Sequence, residues 1–168
     1  MYLHEALSQP DREEFLKAME KEIKDHEEGG HWKLVSKSSL PTGTKILPAV
    51  WSMKRKRDIK TGQVLKHKAR LTIDGSKQEY GVNYWDTYAP VVSWPSIRLF
   101  LVQSILQKWT TRQLDFVLAY THADAETDLY MAIPKGFEST SKQEQVLKII
   151  KNLYGQKQAG RVWYNYLS

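Results

Sequence analysis

An aspartate that follows an apolar segment is the first residue with the potential to do chemistry in this sequence. Asp115 comes directly after Leu114, in the stretch RQLDFVLAYTHADAETDLYM. At the carboxyl end of a strand, a carboxylate is a hard oxygen ligand on a rigid support, which suits a magnesium ion that also binds phosphates and water. Most lone Asp residues after an apolar strand instead cap a helix or form a turn. The residues alone leave both interpretations of Asp115 open.

A dense group of cations between positions 54 and 70 is the second candidate. Alternate residues of a strand share a face, so Lys66, Lys68 and Arg70 lie together on one side of the predicted strand. Three cations in a row can grip a triphosphate or a nucleic-acid backbone, Arg by a bidentate fork and Lys as a point charge. The simpler alternative is a solvated face whose lysines prevent pairing at a sheet edge.

The first half of the chain supplies a helix and a hairpin to position these cations. Apolar residues recur at helical spacing from Phe15 to Ile23 and predict an amphipathic helix, with a capping box formed by Ser8 and Asp11. HWKLV predicts a short strand. Two β-like runs, ILPAVWSMKRKRD and QVLKHKARLTID, flank a turn at Gly62 and predict a hairpin.

The second half is predicted to position Asp115. Apolar residues at helical spacing after Pro95 predict a second helix, which is followed by a strand from Thr110 to Asp115. DLYMAIPKGF and QVLKII predict two further strands, and KQAGRVWYNYLS predicts the start of a final helix. The order of elements therefore predicts one α+β domain without repeats.

Composition narrows the class of protein. The 168 residues fit one domain or most of one, and 41% hydrophobic residues suffice for a core. A net charge of +6 favours polyanionic partners such as nucleic acid. The absence of cysteine excludes disulfides, thiolate nucleophiles and cysteine zinc sites. No stretch has the apolar length of a signal peptide or a bilayer span, so we expect an intracellular protein without a membrane partner.

Several blocks occur in an order that carries a family resemblance. KARLTIDGSKQEYGVNYWDTYAPVVSWPSIRLFL, RQLDFVLAY, DLYMAIPKGF and NLYGQKQAGRVWY follow one another along the chain. They resemble the reverse transcriptase of copia-type retrotransposons, whose blocks run approximately KARLVAKGF, GIDY, TFAPV, IR, QLDVKTAFLNG, IYMEQPPGF and SLYGLKQAPRAWY. The opening EAL, a helix and a W-LV strand fit as well, so the resemblance covers essentially the whole chain.

The resemblance implies a right-hand polymerase fold, incomplete in this chain. It places a fingers hairpin at about 46–73 and the start of the palm at about 96–168, with a mixed or antiparallel sheet and packed helices. It implies an RNA template, a DNA primer, a deoxynucleoside triphosphate and the remainder of the polyprotein palm as partners. The expected location is the cytoplasm, within a virus-like particle, or the nucleus, and the protein is not expected to be secreted.

The resemblance also implies roles for individual residues. Asp115 takes the position of the first catalytic aspartate, which binds Mg²⁺ or Mn²⁺ in two-metal nucleotidyl transfer. Tyr120 takes the position of the aromatic residue that excludes a ribose 2′-hydroxyl, with core packing as the alternative. Arg70 and Lys68 are expected to clamp the triphosphate, and Gly155 to permit close backbone approach beneath the template base. The remaining hairpin lysines are expected to contact nucleic acid: Lys54, Lys56 and Lys66.

Departures from the family pattern leave two functions open. Asp74 and Ser76 stand where the family has Lys and an apolar residue, and Gln156 and Gly160 stand where it has Leu and Pro. The Tyr-x-Asp-Asp block, which supplies the remaining metal ligands in the family, does not occur in the sequence. One possibility is a polymerase segment that is inactive in isolation and needs the rest of the palm. The alternative is a decayed remnant or a basic nucleic-acid-binding module without enzymatic activity.

Overall fold

Four α-helices and six strands make up the mixed α and β fold of the described residues. The computed structural model describes residues 1–138 and 144–168. The helices are α1 (Leu3–Leu7), α2 (Arg12–Glu28), α3 (Trp94–Leu106) and α4 (Ala159–Leu167). The strands are β1 (Trp32–Ser36), β2 (Ile46–Leu47), β3 (Ala49–Arg57), β4 (Val64–Ile73), β5 (Asp124–Met131) and β6 (Gln145–Lys151). The fold therefore contains every predicted helix and strand except the one from Thr110 to Asp115.

A four-stranded sheet in the order β1-β6-β5-β2 forms one part of the fold. Strand β6 pairs antiparallel with both neighbours, and Ile149 lies opposite Trp32 on one side and Leu129 on the other. The short strand β2 pairs parallel with β5. The sheet is therefore mixed, which is one of the two arrangements, mixed or antiparallel, that the resemblance implies.

The hairpin β3–β4 forms a separate two-stranded sheet. Its antiparallel register sets Trp51 opposite Leu71 and Arg55 opposite His67. At the tip, Asp58 accepts hydrogen bonds from the backbone N–H groups of Lys60 and Thr61 and thereby fixes the turn. The predicted hairpin is confirmed.

Helix α2 packs its apolar stripe against the hairpin. Phe15, Met19 and Ile23 are buried because residues three and four apart share one face of a helix. They meet the apolar face of β3 and β4, to which Met53 and Leu71 contribute. Burial of this shared stripe holds the hairpin on the helix, since removing apolar surface from water is the main favourable contribution to folding.

The predicted capping box at Ser8 and Asp11 is wrong. Ser8 ends helix α1 and donates its hydroxyl hydrogen bond to the carbonyl of Glu5. Asp11 precedes α2, but its side chain makes no capping bond, because its carboxylate binds Arg55 and His67 of the hairpin instead. A tertiary ion pair has replaced the local hydrogen bond.

Helix α3 and the segment after it form the least packed part of the described chain. Only Ser104 of α3 is buried, whereas Leu99 is 68% exposed and Ile105 is 76% exposed. No other described helix or strand packs extensively against α3. An apolar surface on all sides of a helix is typical of a helix that a larger structure buries.

The predicted strand from Thr110 to Asp115 is also wrong. These residues have no regular secondary structure, and they are exposed. A strand needs a neighbouring strand to accept and donate its backbone hydrogen bonds, and none of the strands in residues 1–138 and 144–168 pairs with this segment. The apolar pattern therefore indicates an element that has no pairing partner in the described chain.

No helix within the described residues combines the length and the apolar character that crossing a lipid bilayer requires.

Candidate nucleic-acid interface

One face of the hairpin carries four lysines in two cross-strand pairs. The register sets Lys54 opposite Lys68 and Lys56 opposite Lys66, with Arg70 next along the same face. Residues directly opposite each other in an antiparallel pair project from one side of the sheet, so both strands contribute to this basic face. The alternation of the sequence predicts that Lys66, Lys68 and Arg70 of β4 share this face. The strand register shows that two lysines of β3 lie on it as well.

The lysine pairs are electrostatically unfavourable in the isolated chain. Like charges directly opposite each other destabilise a sheet. All four lysines are exposed, and none of their side chains forms an ion pair or a hydrogen bond with any residue that the structure describes. A bound polyanion relieves this repulsion, whereas a small neutral ligand does not.

The opposite face of the hairpin is neutralised by one carboxylate. Asp11 accepts two hydrogen bonds from Arg55, each 2.6 Å long, and lies 2.5 Å from Nε2 of His67. The hydrogen bonds from Arg55 hold the pKa of Asp11 well below its usual range. Phe15 packs beneath both partners, 5.2 Å from the Arg55 guanidinium and edge-on to His67. This cluster fixes the hairpin to the start of α2 and leaves the lysine face free.

Two predicted site residues, Arg70 and Tyr120, meet through a third that the sequence analysis did not single out. The Arg70 guanidinium lies 4.6 Å from the centre of the Tyr154 ring. The Tyr120 ring lies 4.7 Å from the same ring. Tyr154 immediately precedes Gly155 in the block NLYGQKQ, and this position was the only sequence signal for it.

Gly155 permits a close backbone approach, and its neighbour is the end of β4. Its φ is +94°, and a Cβ there would lie 2.1 Å from the carbonyl oxygen of Ile73. A Cβ on Gly75 would lie 2.0 Å from the carbonyl oxygen of Gly155. The Ile73 N–H also donates to the Tyr154 carbonyl at 2.9 Å. This contact sets the ring of Tyr154 beside Arg70.

Asp115 makes no hydrogen bond or ion pair with the other predicted site residues. Asp115 is exposed and makes no polar contact with the described residues. After it, Leu118 adopts a left-handed conformation with φ of 51°, which reverses the chain towards Tyr120. Phe116, next to Asp115, packs edge-on against Trp163 at 5.1 Å.

The described residues do not form a complete site for the metal ions that the resemblance implies. No group of three or more His, Cys, Asp or Glu side chains able to hold a metal occurs in the described part of the chain. Mg²⁺ in a two-metal site takes several carboxylates together with phosphates and water. Asp115 alone does not meet that requirement.

Buried amides beside Gly155 are incompletely paired. Gln78 donates to the side chain of Gln158 at 3.0 Å and accepts from the backbone of Lys157 at 2.8 Å. Gln156 is only 6% exposed, and neither its amide nitrogen nor its amide oxygen has a hydrogen-bond partner among the residues that the structure describes. This side chain replaces an apolar residue of the family pattern.

Comparison with known proteins supplies relatives for almost the whole chain. A sequence model of the family described as reverse transcriptase (RNA-dependent DNA polymerase) matches residues 30–168. The chain is 38% identical over 162 residues to the retrovirus-related Pol polyprotein from transposon TNT 1-94 of Nicotiana tabacum, which covers 96% of this chain and 12% of that polyprotein.

Two further relatives extend this similarity to other organisms. The retrovirus-related Pol polyprotein from transposon RE1 of Arabidopsis thaliana is 36% identical over 144 residues, or 83% of this chain and 10% of that polyprotein. The transposon Ty1-ER2 Gag-Pol polyprotein of Saccharomyces cerevisiae is 27% identical over 125 residues, or 71% of this chain and 6% of that polyprotein. The chain thus spans 12% or less of the length of these relatives. No solved structure matches it.

Proposed function

Because the chain belongs to the reverse transcriptase (RNA-dependent DNA polymerase) family of copia-type retrotransposons, we propose that it is the fingers and the first part of the palm of such an enzyme. In this proposal the basic face of the hairpin binds the phosphates of template, primer and incoming nucleotide. The observation that carries the proposal is that four exposed lysines lie as two cross-strand pairs on the hairpin face that continues to Arg70, whose guanidinium shares the Tyr154 ring with Tyr120. Phosphate contacts of this kind give affinity without sequence preference.

Arg70 and Tyr120 have separate tasks in this proposal. Arg70, with Lys68, holds the triphosphate, because a guanidinium offers a planar fork of donors that matches phosphate oxygens. Tyr120 forms the wall under the sugar that excludes a 2′-hydroxyl. The position of Tyr154 supports this division, since the Arg70 guanidinium and the Tyr120 ring both pack against the Tyr154 ring.

Catalysis requires a part of the polyprotein that this chain does not contain. We propose that Asp115 is one carboxylate ligand of the metal site and that the others come from the remainder of the palm. The uncovered apolar surface of α3 supports this proposal, because a helix that is apolar on all sides needs a covering layer. In this proposal the isolated chain does not polymerise, and the cellular compartment is that of the parent polyprotein.

A binding experiment tests the proposed role of the basic face. Fluorescence anisotropy with a labelled RNA–DNA hybrid should give a slope of log K against log salt of about −3, if about three phosphates are neutralised. The double variant Lys54→Gln/Lys68→Gln should reduce this slope by about two. The matched control is Lys33→Gln/Lys135→Gln, which removes equal charge from exposed positions outside the hairpin and should change the slope much less.

A fusion with the downstream palm of an active relative distinguishes the polymerase proposal from the non-enzymatic alternative. The chain is joined to the downstream palm of an active relative, and primer extension is measured with deoxynucleotides and ribonucleotides. Asp115→Ala should abolish extension with either substrate, and Tyr120→Ala should relax discrimination against ribonucleotides, because a steric wall is lost. A fusion that binds the hybrid but never extends the primer supports the decayed or binding-only module. Unchanged sugar selectivity in an active Tyr120→Ala fusion would show that Tyr120 is a core residue.

A further inference from the structure

The loop of residues 79–88 exposes three large aromatic rings within nine residues. Tyr80 is 73% exposed, Trp85 is 56% exposed and Tyr88 is 74% exposed. Single exposed apolar residues are ordinary on a protein surface, but large aromatic side chains gathered on one short loop mark an interaction site. None of the residue roles proposed above uses these rings.

The backbone of this loop is held in place although its rings are exposed, and the Tyr80 ring meets the Tyr84 ring edge-on at 5.8 Å. The Gly81 N–H donates to the Tyr84 carbonyl at 2.9 Å, and the Asn83 N–H donates to the Glu79 carbonyl at 2.9 Å. The buried Asn83 accepts the Glu79 N–H on its side-chain oxygen and a hydrogen bond from Thr127 of β5 on its carbonyl. A preorganised backbone loses little entropy when a ligand binds to the rings it presents.

Two cations contact the same loop: Lys157, which precedes α4, and Arg161, which lies within α4. Nζ of Lys157 lies 3.0 Å from the Tyr84 hydroxyl and 4.6 Å from the centre of its ring. Arg161 donates from Nε to the Asp86 carbonyl at 3.0 Å and also pairs with Glu126. Lys157 stands three residues after Tyr154, which carries Arg70 on its ring. The segment 154–157 therefore contacts the hairpin through Tyr154 and Arg70, and the loop through Lys157 and Tyr84.

We propose that residues 80–88, with Lys157, bind single-stranded nucleic acid by stacking unpaired bases on Tyr80, Trp85 and Tyr88. Every base has a π face, so base–aromatic stacking contributes affinity without sequence preference. In a duplex the base faces are already stacked on one another, so the rings discriminate for a single strand. The nearby cations match the phosphates of that strand. That the strand is the unpaired part of the template rests on the proposed function, whereas the stacking itself does not.

The test compares a labelled 12-nucleotide RNA with a 12-base-pair RNA–DNA hybrid in anisotropy titrations of the full chain. The variant Tyr80→Ala/Trp85→Leu/Tyr88→Ala should weaken binding of the RNA at least tenfold and binding of the hybrid less than twofold. Val82→Ala is the matched control, because it removes an exposed apolar side chain without a ring from the same loop. Heparin, which has charge but no bases, should bind the variant and the parent chain equally.

A second readout guards against misfolding of the triple variant. Stacking of a base on Trp85 quenches its fluorescence, so the RNA-induced quenching of the parent chain should be largely lost in Trp85→Phe alone. Unchanged RNA affinity in the triple variant, or equal loss for RNA, hybrid and heparin, overturns the stacking proposal. If the ring variants have no effect while Lys54→Gln/Lys68→Gln still weakens hybrid binding, stacking is wrong and the proposed function stands. If the lysine variant has no effect while the ring variants weaken RNA binding, stacking stands alone.

Discussion

The hairpin β3–β4 and the region from α3 to Asp115 behave in opposite ways, although the same resemblance assigns both to one enzyme. In the hairpin, alternate residues divide into a buried face against α2 and a solvated basic face. In α3 and the segment after it, apolar residues face solvent on all sides, and the expected strand is absent. An element is stable where the chain itself covers the apolar surface of that element, and a sequence pattern alone does not reveal whether the covering partner is present.

The largest expected contrast comes from the same substitution in the two regions. Leu71→Ala removes a buried side chain between β4 and α2, so it should lower the free energy of unfolding by about 2–5 kcal/mol. Leu99→Ala removes an exposed side chain from α3 and should change it by about 0.5 kcal/mol or less. Urea unfolding followed by circular dichroism measures both. Equal losses would mean that α3 is packed in solution and that the contrast is wrong.

A smaller effect concerns two buried amides, of which Gln78 is hydrogen-bonded and Gln156 has no side-chain partner among the described residues. Gln156→Leu removes a buried amide that has no partner, so it should raise the free energy of unfolding by about 1–3 kcal/mol. Gln78→Leu is the control, because Gln78 is also buried but is hydrogen-bonded to Gln158 and Lys157, and its loss should destabilise the chain. Destabilisation by Gln156→Leu as well would show that Gln156 has a partner in solution.

The sequence was sufficient to predict the elements whose pairing partners lie nearby in the chain. Alternation over β3 and β4 and the turn at Gly62 predicted the hairpin, because each strand pairs with the next. It was insufficient where the partner is distant. Asp11 was predicted to form a capping box with Ser8. Its carboxylate instead binds Arg55 and His67, which lie 44 and 56 positions further along the chain.

The candidate site was predictable only in part for the same reason. Arg70 and Tyr120 followed from the resemblance, but their common neighbour Tyr154 depends on how the turn at Gly155 docks against Ile73. The strand before Asp115 was predicted from its apolar residues, and no pattern within it indicates which strand must pair with it. Local pattern predicts an element, and tertiary contact decides whether it forms.

Acid should affect the hairpin through Asp11. Its pKa is lowered in the folded chain by the hydrogen bonds from Arg55, so the unfolded chain binds the proton more readily. The stabilisation is therefore fully present above about pH 4, the ordinary range of an Asp carboxyl, and is lost progressively as the pH falls below it. Asp11→Asn should lower Tm at pH 7 and reduce the further fall in Tm between pH 5 and pH 2. Glu13→Gln removes an equal charge from the same helix and is the matched control. An unchanged acid profile in Asp11→Asn would rule out this contribution.

Whether residues 110–115 and α3 gain their structure only from the rest of the palm can be measured by hydrogen exchange on the isolated chain and on the chain joined to the downstream palm of an active relative. We expect the backbone amides of β3 and β4 to be protected in both proteins, because the chain itself supplies their hydrogen-bond partners. Residues 110–115 should exchange freely in the isolated chain and become protected in the joined protein, together with increased protection of α3. Protection of residues 110–115 in the isolated chain, or their continued rapid exchange in a joined protein that extends primers, would contradict it.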